Sequence, residues 1–447
     1  MTKSTLASSK CKTTDIHRPE TVVAARYPSA IGVDVHSTLL VCAYQDGTQP
    51  DSIKTEHINF GTKHSEVEAF AHWCKERNPS IIVMESTGVL WRSAYEALEK
   101  VGFTAEQLAL VNARDVKAII GRKTDREDAQ RLAEIARLGN IKKSFVPPQV
   151  FREMRQLARR YQGIAQKIAS QTNVYHKLLN ATGCRAGSVF SDVKGVAATA
   201  ILEAKLDGVE DLDRIVYQHG RRLKASLAEI VDALDFEIHP SIRHQLIEER
   251  EQIQLQKQFA QRTFERLKEL QAPYEHQIEL LMSIPSIRET SARLIFAELA
   301  DDISLYFPDA EHFSSWLGIC PGNKISANKN YSGSPSKGNK WLRKTIIECA
   351  QGLALSKLPL KERFMVWKLR RGTLRAIVAL AHLLARIVYS ILKNRTMFQL
   401  MPMTTQRDEV VNRIKKNISE LKRMDCVLKS TMLVEKGTGE VISDIAG

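Results

Sequence analysis

Four acidic residues stand at positions where they could do phosphate chemistry together. Asp34 lies inside IGVDVHS, Glu85 closes the apolar run IIVM, and Asp125 and Asp128 open DREDAQRLAEIARLG, three residues apart. A three-residue spacing at a helix start puts both side chains on one face. Converging carboxylates raise one another's energy unless a cation lies between them. Magnesium accepts such oxygen ligands along with phosphate oxygens, and two ions roughly 3.5–4 Å apart can activate an attacking oxygen and stabilise a leaving one. Taken singly, each acid has a plain structural explanation. Asp125 could cap a helix with Thr124, Asp128 could pair with Lys123 or Arg131, Glu85 could begin a loop, and Asp34 could pair with Arg92. The set of four, in the order strand, strand, helix, is what points to chemistry.

A second group lies far along the chain, in LGICPGNKISANKNYSGSPSKGNKWLRK. Ser326, Ser332, Ser334 and Ser336, with the phenol of Tyr331, share a glycine-bearing basic stretch. A serine hydroxyl is a weak nucleophile that needs a base or a metal beside it. Lys324, Lys329, Lys337, Lys340 and Arg343 are suited to holding a phosphate. Residue types alone do not choose Ser326 over its neighbours, and on these residues alone a flexible polar loop whose lysines merely touch backbone phosphates is the better reading. Between residues 321 and 395 sixteen Lys or Arg face only Glu348 and Glu362, so the whole formal excess of +14 falls there. That concentration favours a polyanionic partner, since each cation near a phosphate releases counterions.

The elements that must position these groups follow from periodicity. At 447 residues the chain exceeds one ordinary core. Residues 30–44 alternate and are rich in Val and Ile, which predicts two strands about a turn, with 57–60 extending the sheet. The pattern predicts a helix over 67–73, a strand over 80–84 and a helix over 88–102 ending at glycine. A weak strand over 108–111 and helices over 115–120 and 125–138 follow. This is a mixed sheet covered by helices. Beyond Pro147-Pro148 the chain reads as helical: a basic amphipathic helix over 150–179, shorter helices over 186–238, and a long one over 242–270. Leu246, Ile253, Phe259 and Leu267 form a stripe on the last, suited to an intramolecular hairpin or a coiled coil between copies. A helical hairpin about Ile284-Pro285-Ser286-Ile287, a long loop over 316–340 and helices over 342–355 and 373–392 complete the fold class: α/β plus all-α.

The expected domains are a basic tail (1–27), a catalytic α/β domain (28–148), a helical or coiled-coil linker (149–277), a serine-bearing domain (278–400) and a charged extension (401–447). Seven scattered cysteines form no CxxC pair, which argues against structural zinc or a disulfide framework. The N-terminal stretch has no apolar core of a secretory signal. The apolar run 376–392 is broken by His382 and Arg386 and reads as a buried helix. No membrane is expected, and the cytoplasm or bacterial nucleoid is the expected location. The chain lacks a GxxxxGK[ST] loop, so no ATP chemistry is indicated.

Together these segments resemble the insertion-sequence one-ten family of DEDD transposases, the bridge-RNA-guided recombinases. IGVDVHS, VMESTGVLW, NARDVKAIIGRKTDREDAQRLAEIARLG, LLMSIPSIRETSARLIFAEL, FSSWLGICPGNKISANK, SKGNKWLRK and LRRGTLRAIVALAHLLARIVY occur in the family's order. The resemblance implies an RNase H-like (RuvC-like) N-terminal domain binding Mg2+ through Asp34, Glu85, Asp125 and Asp128. It also implies a C-terminal transposase domain with Ser326, in ISANK, as nucleophile. Implied partners are donor and target DNA, a noncoding guide RNA, and further copies of the chain in a dimer or tetramer whose domains meet across protomers. The sequence departs from the family's pattern at Ser286 and Arg288, where the hairpin motif carries glycines, and at Asn328. The rival readings are a RuvC-like nuclease that uses water and a non-catalytic nucleic-acid-binding protein.

Overall fold

The computed structural model describes residues 25–47, 52–85, 88–112, 124–190, 193, 195–209, 211–220, 223–320, 324–326, 329–332, 338–356, 359–399, 426–429, 432–435 and 441–444. For 324–326, 329–332 and the last three stretches it describes the backbone alone. The chain divides into two compact units, Met1–Gln149 and Val150–Gly447.

In the first unit, strands β1 (Ser29–Val35), β2 (Leu39–Asp46) and β3 (Lys54–Gly61) form an antiparallel meander. Helix α1 (His64–Arg77) then leads to β4 (Ile81–Glu85), which pairs parallel with β1. Helix α2 (Trp91–Lys100) leads to β5 (Leu108–Val111), parallel to β4. The resulting order, β3-β2-β1-β4-β5, is that of an RNase H-like sheet. Alternation along β1 sorts its residues between two cores. Ile31, Val33 and Val35 pack with Phe70, Cys74, Leu98 and Leu110 on the side of α1 and α2. Ala30, with Ile81 and Val83 of β4, packs instead against Leu132, Ala133 and Ala136 of α3 (Asp125–Arg137). The helix expected over 115–120 lies outside the described residues.

The second unit is mainly helical. It begins with α4 (Gln149–Ala181), followed by four short helices, α5 (Ala186–Val189), α6 (Val196–Leu206), α7 (Leu212–Gly220) and α8 (Leu227–Ala233). The long α9 (Pro240–Gln271) returns antiparallel to α4. Tyr161 meets Phe264 at 5.3 Å, Gln171 donates to Gln252 at 2.7 Å, and Leu179 shares a core with Leu246. The stripe read from the sequence is therefore used within the chain along this pair. Helices α10 (Glu275–Met282) and α11 (Glu289–Ala297) form the expected hairpin, followed by α12 (Ala310–Leu317).

The expected long loop over 316–340 needs correction at both ends and in its middle. Its first two residues end α12, its last opens the next helix, and its centre holds a two-stranded hairpin, β6 (Lys324–Ser326) and β7 (Lys329–Ser332). Such short strands have no periodicity to read. Helices α13 (Lys340–Leu355), α14 (Pro359–Arg371) and α15 (Thr373–Asn394) follow. Helix α15 is long and apolar enough to cross a membrane, but half of its most apolar window is buried within the unit, with Leu380, Leu384 and Val388 in the core. Within the extension, strands β8 (Cys426–Lys429), β9 (Met432–Glu435) and β10 (Val441–Asp444) form a small antiparallel sheet.

Candidate nuclease site and serine hairpin

The sheet and α3 bring the four acids to one place. Asp34 is the penultimate residue of β1. The parallel register pairs Val33 with Met84, so Asp34 and Glu85 stand opposite each other one step beyond. Both alternate onto the face covered by α3, in line with Gly32 and Val83. Gly32 lets that helix lie directly on the strand, because a Cβ there would sit 2.1 Å from Ala129 O and 2.5 Å from Ala133 N. The first turn of α3 thereby arrives beside Asp34.

The cap of α3 is built by Thr124 and Glu127. Thr124 Oγ1 accepts from Glu127 N at 3.3 Å, and Glu127 Oε2 accepts from Thr124 N at 3.1 Å. The capping role weighed for Asp125 is thus filled by its neighbours. Arg92, weighed as a partner for Asp34, pairs with Glu96 at 2.7 Å. Asp34 instead meets His36, whose Nε2 is 3.0 Å from Asp34 Oδ2 and 3.5 Å from Asp125 Oδ2. Burial holds the Asp34 carboxyl above its ordinary range. His36 opposes that rise, while Glu85, Asp125 and Asp128 add to it by like-charge repulsion.

Asp34, His36 and Asp125 each offer a ligand atom, and these atoms lie within 4.8 Å of one another, a span that one metal ion can bridge. The donor set is carboxylate oxygen plus one imidazole, beside two further acids, and it fits a divalent cation. Sequence reasoning passed over His36. The signal was present in DVHS, where a histidine follows the strand acid by two residues, but one imidazole in a turn has no pattern of its own.

Ser326 lies in the second unit as the last residue of β6, paired in register with Lys329 across a two-residue connection. Lys324 opens the same strand, opposite Ser332. Ser334, Ser336 and Lys337 lie outside the described residues. Lys340 and Arg343 lie in the first turn of α13, Lys340 exposed and Arg343 half-buried, where Arg343 donates to Gly318 O at 3.4 Å.

The two feet of the hairpin segment touch. Asn339 N donates to Trp316 O at 3.2 Å, and a Cβ on Gly338 would lie 2.4 Å from Gly318 N. Asn339 Oδ1 caps α13 by accepting from Trp341 N and Leu342 N, both at 3.1 Å, while its Nδ2 donates to Glu298 Oε2 at 2.7 Å. Glu298 is fully buried and is gripped by Arg159 through two bonds, 2.6 and 2.8 Å, with Arg155 Nε 3.3 Å away. Burial pulls the Arg155 guanidinium down to about 10, against the pull of Glu298. A charge network anchored on α4 therefore holds one foot of the serine-bearing segment.

An RNase H-like sheet with four acids gathered at one end defines the class as a DEDD-type nuclease fold. Comparison with protein families gives the particular group. A DEDD transposase family matches residues 31–183, and the transposase IS116/IS110/IS902 family matches residues 278–364. The chain belongs to the IS110 family of transposases. A search of curated proteins returns no match. DNA is thus the substrate, and cutting and rejoining it is the activity.

Proposed function

We propose that the chain carries out DNA strand exchange for its insertion sequence through a serine-linked intermediate, with Ser326 as nucleophile. Asp34, Glu85, Asp125 and Asp128, with His36, would hold Mg2+, which when bound lowers the cost of negative charge on a scissile phosphate. Ser326 Oγ attacks phosphorus and gives up its proton as the P–O3′ bond breaks, and the departing 3′ oxygen takes a proton. The phosphodiester is exchanged rather than spent, so a 3′ hydroxyl can reverse the step without ATP. Lys324, Lys329, Lys337, Lys340 and Arg343 bind the DNA backbone near the attacked phosphate. Donor and target DNA, a noncoding guide RNA and a dimer or tetramer of this chain complete the reading, in a cytoplasmic, nucleoid-associated protein.

The observation that supports this most is the convergence on Asp34, where three other acids stand close enough to add to the rise that burial imposes and a ligand set for one cation lies within reach. The test is Ser326→Ala on an element-end duplex with Mg2+, with protein–DNA adducts trapped by denaturation. Loss of both adduct and strand transfer supports the reading. Cleavage that persists without an adduct assigns the attack to water, and binding without strand chemistry in the unsubstituted protein leaves a binding module.

A further inference from the structure

Helix α14 and the start of α15 form an exposed corner that no role so far uses. Gly372 joins the helices at φ +79°, a left-handed conformation that side chains rarely adopt. In α14 Phe364 is buried, whereas Met365 and Val366 are nearly half exposed and Leu369 is 85% exposed. Leu374, across the glycine, is 84% exposed, while Ala376 and Leu380, two and six residues on, are in the core. A leucine left in water forgoes on the order of 2 kcal/mol of burial. Two of them, one on each side of Gly372, leave apolar surface exposed at the joint.

The charge around that joint says what it meets. Lys368, Arg370, Arg371 and Arg375 are all exposed, and among the described residues none has an acidic partner. Glu362 is the sole acid from residue 356 to residue 395. The N-terminus of α15 lies at the same corner and adds the partial positive charge of a 22-residue helix. A protein partner would need a dense acidic surface with an apolar pit. Duplex DNA offers phosphates along both edges of a groove and base steps that accept aliphatic wedges. RNA helices present a deep, narrow major groove, and RNA single strands prefer aromatic platforms.

We propose that this corner is a second DNA contact, distinct from the serine hairpin. Its four cations seat on phosphates flanking a groove, while Leu369 and Leu374 enter the groove and kink the duplex. The proposal rests on DNA as substrate but not on the identity of the nucleophile. It assigns the corner the task of bending DNA.

The experiment uses the full chain carrying Ser326→Ala, without divalent cation, so that binding is read apart from any strand chemistry. The probe is a 30-base-pair duplex, dye-labelled at both ends, with a central TA step. One variant replaces Lys368, Arg370, Arg371 and Arg375 by Gln; the other replaces Leu369 and Leu374 by Ser. The expected result for the charge variant is a salt-dependence slope lower by about 3 to 4, at ~0.9 per phosphate contact. The leucine variant is expected to keep that slope and lose the end-to-end energy transfer that reports bending. Circular dichroism is expected to be unchanged, because every substituted residue is exposed. Wild-type slope and bending in both variants would overturn the proposal. So would loss of binding to an RNA hairpin with duplex binding intact, which would make the corner an RNA site. A change confined to self-association by light scattering would make it an interface between copies and equally refute it.

Discussion

Replacing Gly32 by alanine tests whether close seating of α3 is what assembles the acidic cluster. The new methyl would lie 2.1 Å from Ala129 O, 2.5 Å from Ala133 N and 2.8 Å from Leu132 Cβ. Two of those are backbone atoms of the helix, so no side-chain rotation relieves them. The helix has to withdraw by roughly 1 Å or more to restore van der Waals separation. Overpacking of this kind costs about 1–3 kcal/mol, which the unit can bear near room temperature if its stability is ordinary. The geometric consequence is larger, because Asp125 and Asp128 ride on the displaced helix while Asp34 stays on the strand. A misplacement of 1 Å costs a catalytic site on the order of 100-fold. Strand-exchange rate on an element-end duplex is therefore expected to fall ~100-fold while circular dichroism stays native. Val33→Ala is the control, since Val33 packs on the opposite face with α1 and α2. It is expected to lower stability by about 2 kcal/mol with little change in rate. A Gly32→Ala protein within threefold of the wild-type rate, or an equal loss of rate in both variants, would refute the reasoning.

Two further outcomes concern Asp34 and, in the second unit, Ser286. Because the folded Asp34 carboxyl is raised above its ordinary 3.8, the folded state binds that proton more tightly than the unfolded chain does. Its contribution is then most favourable below 3.8 and declines as pH rises through the window up to the folded value, so ionised Asp34 costs stability at pH 7. Asp34→Asn in chelator is expected to melt above wild type, whereas Mg2+ at a hundredfold excess over its Kd should stabilise wild type by about 2.7 kcal/mol and the variant far less. Scanning fluorimetry that shows equal cation shifts in both proteins would remove the metal from this site. Ser286 holds φ +75° in the α10–α11 turn, and its buried Oγ has no hydrogen-bond partner among the described residues. Ser286→Gly should therefore raise stability by ~0.5–1 kcal/mol once the extra chain entropy of glycine is offset, seen as a higher urea midpoint; a lower midpoint would show that the side chain's packing near Gly352 matters more.

Much of the first unit was legible because its strands are long enough to alternate and its turns carry Gly or Asn. The strand expected over 108–111 matches β5 (Leu108–Val111), and the helix expected over 125–138 differs from α3 by one residue. Asp34 and Glu85 stood out because a charge interrupts or closes an apolar run, a costly arrangement that needs a reason, and Asp125 and Asp128 because their three-residue spacing at a helix start puts both on one face. Gly32 and His36 were not legible as site determinants. The meaning of Gly32 depends on a helix arriving nearly a hundred residues later in the chain, and that of His36 on two carboxylates from different elements.

The serine segment was harder to read for a physical reason. Its hairpin strands, KIS and KNYS, are only three and four residues long and mostly polar, so they carry no apolar pattern from which a strand can be recognised. What restrains its foot is remote: Arg155 and Arg159 reach Glu298 across some 140 positions, and Glu298 then reaches Asn339. In sequence, Glu298 is one more acid near a helix end and the two arginines belong to a basic stripe that reads as solvent-facing. A buried carboxylate has to be matched by donors, or it costs several kcal/mol. Burial, which sequence patterns report only for apolar residues, is thus the information needed to tell this clamp from surface charge. Asp34 and Glu85 stood clearer of that ambiguity because they sit in or at the end of apolar strands, whose burial the apolar pattern itself declares.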